Sequence, residues 1–231
     1  MGLASAFMGR GAHAPPVGLL QAREWLVRRR WAVALATGLA LVLAKRLVQS
    51  GTSPPDPLVV NGVLYLAVPL ALAALLMYRR QGIGLALPVD RAAWAITGAM
   101  ALGAVALAFA GTLFPSMMAY YPQELWGELT LDAASLVPYE AAIALIMLAV
   151  ELLFRGWLVL ATSERLGGWA VILSAAVYAV AHLGKPPEEV VFSLLAGLAF
   201  GWADIRARSI LPSFAAHFIG SALFDVLALL G

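Results

Sequence analysis

Residues 138–161 read PYEAAIALIMLAVELLFRGWLVLA. The run matches the roughly 20 apolar residues that a helix needs to cross a bilayer core, yet it holds Glu151 and Arg155 four residues apart. The composition decides where such a run goes. Apolar residues make up 62% of the sequence and charged residues 12%, and the mean hydropathy is +0.88. A soluble domain of 231 residues has no interior large enough for that much apolar surface, so lipid is the solvent for most of it. The expected fold is all-α, a polytopic transmembrane helix bundle of about seven spans, with six to eight allowed by length.

Working outward, the spans fall at about 31–49, 58–78, 91–113, 138–161, 168–183, 188–204 and 209–229. Breakers separate them: Ser53-Pro54-Pro55-Asp56-Pro57, Gly167-Gly168 and Gly184-Lys185-Pro186-Pro187. The first span is interrupted by Lys45 and Arg46, which are expected to snorkel outward. Residues 1–30 form a separate unit. A Gly-, Ala- and Pro-rich tail leads into a stretch from Val17 to Arg30 that reads either as a basic interfacial helix or as a loose tail with a topogenic Arg cluster. The bundle occupies 31–231. No signal-peptide pattern, internal repeat or low-complexity tract is evident.

Charge placement sets the orientation. With the N-terminus cytoplasmic, Arg10, Arg23, Arg28–Arg30, Arg79, Arg80, Arg91, Arg165, Arg206 and Arg208 lie inside, against only Lys45, Arg46 and Lys185 outside. The 114–137 connection carries Glu124, Glu128 and Asp132 without a basic residue, as an outer loop would. The expected location is the plasma (inner) membrane. The absence of cysteine removes a thiol nucleophile, disulfides and cysteine-ligated metal. No basic cluster with interleaved aromatics suggests nucleic acid, so the expected partners are membrane lipid and a peptide or protein substrate.

An ionisable residue at mid-bilayer costs roughly 2.5–3.5 kcal/mol on insertion scales, so each one needs a reason. Glu151 and Arg155 share one helical face and can pair along it, either to hold helices together or to serve a site. Glu140 sits three turns before Glu151 on the same face, near the helix start, where an interfacial or capping role also fits. Tyr178 and His182 close the fifth span. His217, Ser221 and Asp225 follow one another at four-residue steps in the last span and can line one stripe. A lone membrane histidine is an ordinary packing residue. Two of them with a Glu–Arg pair, on three helices, point instead to a carboxylate and imidazole that activate water, with a second imidazole and a hydroxyl for an oxyanion or a metal.

These motifs resemble the CAAX-protease and bacteriocin-processing (CPBP) family of intramembrane endopeptidases over about 138–225. The family's Glu-Glu-x-x-x-Arg is matched by Val150-Glu151 and Arg155, its aromatic-x-x-x-His by Tyr178 and His182, and its His-x-x-x-Asn by His217 and Ser221. The segment Gly197–Pro212 resembles the family's lead into its last catalytic helix. Two positions depart from the pattern: Val150 stands where the family has its first Glu, and Ser221 where it has Asn. The segment His182-Leu183-Gly184-Lys185-Pro186, with Glu188 and Glu189 behind it, resembles a form of the family that keeps a single Glu.

The resemblance implies that Glu151 with His182 activates water, that His217 with Ser221 steadies the oxyanion, and that Arg155 holds Glu151. Glu140, Tyr178, Lys185, Glu189 and Asp225 are expected to contact substrate or support these groups. Lys185 and Glu189 otherwise read as a polar loop. Zinc remains open as a cofactor, with Glu151, His182 and His217 as its ligand set. The leading expectation is hydrolysis of a peptide bond in a membrane-associated substrate, prenylated or leader-bearing. The alternatives are an inactive scaffold, immunity or assembly factor on the same bundle, and an ion-coupled transporter. The transporter is disfavoured because no span is broken at mid-depth by Gly or Pro.

Overall fold

A computed structural model describes residues 17–51, 53, 55–88, 90–122 and 129–231. The expected tail over residues 1–16, and Glu124 and Glu128 of the acidic connection, lie outside the described residues. Among the described residues, eight helices carry the architecture: α1 (Val17–Arg28), α2 (Arg30–Gln49), α3 (Pro57–Leu75), α4 (Arg91–Gly111), α5 (Ala133–Leu166), α6 (Trp169–Ala181), α7 (Pro187–Ala207) and α8 (Leu211–Leu230). A short helix, Pro115–Met118, follows α4. Six of these, α2 to α5, α7 and α8, are long and apolar enough to cross a membrane. The expected span at 168–183 is the shorter helix α6, of 13 residues. At 1.5 Å per residue it is about 20 Å long, less than the roughly 30 Å hydrocarbon core.

Helix starts follow local chemistry. Asp56 accepts from the Leu58 amide with Pro57 at the first helical position, Asp90 caps α4 through the Ala93 amide, and Asp132 caps α5 through the amides of Ala134 and Ser135. Gly167, at φ +55°, turns α5 into α6.

Helix α5 is the axis of the bundle: 72% of its apolar window is buried, against 17–39% for the other spans. It runs as an α-helix to Glu151, as a π-helix over Leu152–Leu160, and as an α-helix again to Leu166. Every residue of the π segment is buried. Helix α3 carries a shorter π segment, Gly62–Ala67. Around the axis, Tyr65, Phe154, Trp157 and Tyr178 belong to one core. The Trp157 indole donates to Thr37 Oγ1 at 3.0 Å, tying α5 to α2. Helix α4 packs on α8 and turns Leu102 and Phe109 outward, an apolar surface suited to lipid.

Lys45 turns inward where the sequence suggested snorkelling, while Arg46 stays exposed. Lys45 Nζ donates to Asn61 Oδ1 at 2.9 Å and lies 4.8 Å from the centre of the Tyr65 ring. Arg46 donates to the Leu183 carbonyl at 2.9 Å, at the C-terminal end of α6. A side-chain acceptor on α3 holds Lys45, and carbonyls that lack helical partners at the end of α6 hold Arg46.

Candidate active site

Where the α-helical part of α5 gives way to its π segment, Glu151 and Arg155 are buried, at 0% and 1% exposure. Arg155 Nε lies 3.1 Å from Glu151 Oε2, the pairing that the four-residue spacing implied. The other carboxylate oxygen, Oε1, lies 2.6 Å from His217 Nδ1 on α8. The Arg155 guanidinium sits 4.2 Å from the Tyr178 ring centre and 5.1 Å from that of Phe200, so aromatic faces from α6 and α7 take the place of further acceptors. A charge at this depth persists only when paired, and Glu151 is paired on both oxygens. The imidazole it holds is that of His217. The sequence reading had coupled Glu151 to His182, because spacing along α5 does not reveal which side of α8 faces it.

With Nδ1 on the carboxylate, His217 turns Nε2 toward the Tyr178 hydroxyl, 3.3 Å away. The second imidazole closes α6. His182 Nδ1 lies 2.8 Å from the Tyr178 carbonyl. A carbonyl can only accept, so Nδ1 carries the proton and Nε2 of the neutral ring keeps its lone pair. Nε2 lies 3.8 Å from Glu189 Oε1. That oxygen accepts from Lys185 at 2.7 Å and from the Tyr121 hydroxyl at 2.8 Å, and Lys185 also donates to Tyr121 at 3.0 Å. Burial, then the Glu189 carboxylate, hold the Tyr121 phenol well above its usual range, so it stays a neutral donor.

These groups meet at a cleft of about 1240 Å³ whose wall includes Val150, Tyr178, His182, Glu189, His217 and Ser221. Glu151 and Arg155 lie behind that wall, so Glu151 reaches the cleft through His217. Val150, where the family pattern has a carboxylate, faces the cleft with an isopropyl group. Ser221 stands one turn beyond His217 on α8. Asp225, one turn further, is buried and lines the same cleft, with Oδ1 unpartnered. Glu140 keeps both oxygens buried and without a hydrogen-bond partner, away from the Glu151 cluster.

The three donors considered for zinc do not converge. No group of three His, Asp or Glu side chains among the described residues is placed to hold a metal ion.

Three features escaped the sequence reading. Lys45 lines the cleft, although its position in an apolar run had suggested an outward residue. Tyr121 joins the Glu189 cluster from a loop with no periodic signal. Asp204, buried in α7, accepts from the Ser213 amide and hydroxyl at 3.1 and 2.5 Å and ties α7 to α8 behind His217. An ionisable residue near the end of an apolar span was the available clue to Asp204.

Residues 132–223 match the family model for Rce1-like proteins, described as type II CAAX prenyl endopeptidase Rce1-like. The match covers the helices that carry Glu151, His182 and His217, in agreement with the resemblance read from the motifs. No curated protein and no solved structure matches the chain.

Proposed function

We propose that this chain, a membrane protein whose residues 132–223 form an Rce1-like domain, is an intramembrane endopeptidase. It hydrolyses a peptide bond of a membrane-associated protein substrate, prenylated or leader-bearing, in the cleft between α6 and α8. The supporting observation is the buried relay Arg155–Glu151–His217, which ends on the same cleft wall as a second imidazole of fixed tautomer. His182 Nε2 accepts a proton from the attacking water. Glu151 orients His217 and supports its positive charge, so that His217 Nε2–H and the Ser221 hydroxyl steady the oxyanion. Tyr178 spaces the two rings, with its carbonyl on one and its hydroxyl on the other. Lipid and the substrate are the partners, and the plasma membrane, with the N-terminus cytoplasmic, is the site of action.

The test is cleavage of a proteome-derived peptide library by the detergent-purified protein, scored by mass spectrometry. His182→Ala, on the cleft wall, is expected to lower turnover about 10²–10⁴-fold, the usual worth of a general base. Glu151→Gln is expected to do the same by misorienting His217. Cutting that survives both substitutions would place the chemistry elsewhere.

Val150 favours a second reading, an inactive scaffold or immunity factor on the same bundle, because an apolar side chain occupies a wall position that carries a carboxylate in the family pattern. That reading expects His182→Ala to leave cellular function intact at normal expression.

A further inference from the structure

Resting on the endopeptidase reading, we infer that Glu189 is a catalytic residue: with His182 it holds the attacking water, supplying from α7 the cleft carboxylate that Val150 does not.

The cleft wall has two imidazoles and, at position 150, no carboxylate. Glu151 cannot fill that gap while it is behind the wall with both oxygens committed, Oε2 to Arg155 and Oε1 to His217. Glu189 is a carboxylate on the wall itself, and its Oε1 lies 3.8 Å from His182 Nε2. That separation is too long for a hydrogen bond between the two groups and suits a water at the apex of a triangle, about 2.8 Å from each. Both corners are acceptors: Nε2 because Nδ1 is bound to the Tyr178 carbonyl, and Glu189 Oε1 because Lys185 and Tyr121 donate to it. A water that donates a proton to each turns its lone pairs away from both, into the cleft.

Lys185 and Tyr121 hold Glu189 through Oε1, the oxygen that faces His182, with contacts of 2.7 and 2.8 Å. Its other oxygen, Oε2, has no hydrogen-bond partner. The carboxylate is thus fixed beside His182 Nε2 by donors from two other segments.

The step balances. Water oxygen bonds to the scissile carbonyl carbon, and one water proton passes to His182 Nε2. The imidazolium so formed faces the Glu189 carboxylate, which stabilises it. The tetrahedral intermediate then collapses with cleavage of the C–N bond, and His182 returns its proton to the leaving amine. The products are an acid and an amine.

The experiment compares wild type and Glu189→Gln, full-length in detergent, on a fluorogenic version of a library peptide that the wild type cuts. Gln keeps the shape and an acceptor for Tyr121 and Lys185 but loses the charge. The expected result is a fall in kcat of at least 100-fold, with KM within threefold and Tm within a few degrees. A purely structural role would instead lower Tm and leave the turnover of the folded fraction in place. Glu189→Gln turning over within threefold of wild type overturns the inference while the endopeptidase reading stands. A structure that resolves waters reads the same point without turnover, and so applies even to a preparation that cuts no library peptide. Water bonded to both His182 Nε2 and the Glu189 carboxylate supports the inference, and an Nε2 hydrated without Glu189 overturns it.

Discussion

Arg155 and Glu151 form an ion pair with almost no access to solvent, and its energetics differ from those of a surface pair. Removing one partner leaves the other charged and stranded, which costs about 3–5 kcal/mol, whereas removing both is close to neutral when the replacements pack. Arg155→Met is therefore expected to destabilise the protein by about that amount. Glu151→Gln combined with Arg155→Met is expected to recover most of the loss, read by denaturant titration in mild detergent. Equal losses for the single and double variants would mean that packing around the guanidinium, over Tyr178 and Phe200, outweighs the pairing. The Glu151–Arg155 contact was legible in the sequence because it lies within one helix, where spacing fixes geometry. The Glu151–His217 contact was not, since it depends on how α5 and α8 are rotated about their axes.

The donor arrangement at the same residues carries a second expectation. The two histidine Nε2 atoms face different partners, Tyr178 and Glu189, and no three His, Asp or Glu side chains among the described residues are grouped to hold a metal ion. Hydrolysis is thus expected to survive prolonged chelation, with less than stoichiometric zinc by elemental analysis. Chelator-sensitive activity restored by zinc would require His182 and His217 to turn toward a common centre.

At the scale of elements, the position of His182 relative to Glu189 depends on how closely α6 and α7 approach. A Cβ at Gly197 would lie 2.9 Å from Ala175 Cα, and one at Gly201 would lie 2.9 Å from Val171 Cγ1. The two glycines, four residues apart, form a small-residue face. Gly197→Ala is expected to cost about 1–3 kcal/mol, because α-carbons and not a flexible side-chain tip must move. Gly103→Ala, which meets nothing within 4 Å, is expected to stay within about 0.5 kcal/mol of wild type. Paired unfolding curves would separate the two, and equal stability would remove the case for tight α6–α7 packing. Helix boundaries were legible where caps and prolines mark them, as at Pro57 and Pro187. The π segment of α5 was not legible, because neither Arg155 nor any other residue of Leu152–Leu160 marks a change of helical register.

For the whole molecule, the helix ends sort into two sets. The polar pocket lined by Arg30, Arg79, Glu164 and Arg208 gathers the start of α2 and the ends of α3, α5 and α7. The histidine cleft gathers the end of α2, the start of α3, the end of α6 and the start of α7. Helix α5 ends in the first set and α7 begins in the second, so α6, short as it is, carries the chain between them. The bias of Lys and Arg argues for a cytoplasmic basic end, and the cleft is then expected to open outward. The absence of cysteine allows a clean test. Ser50→Cys, at the cleft mouth, is expected to react with a membrane-impermeant maleimide in intact cells. Gln81→Cys, in the polar pocket, is expected to react only after lysis. The reverse pattern would turn the cleft toward the cytoplasm, and the substrate would then have to present its scissile bond from that face.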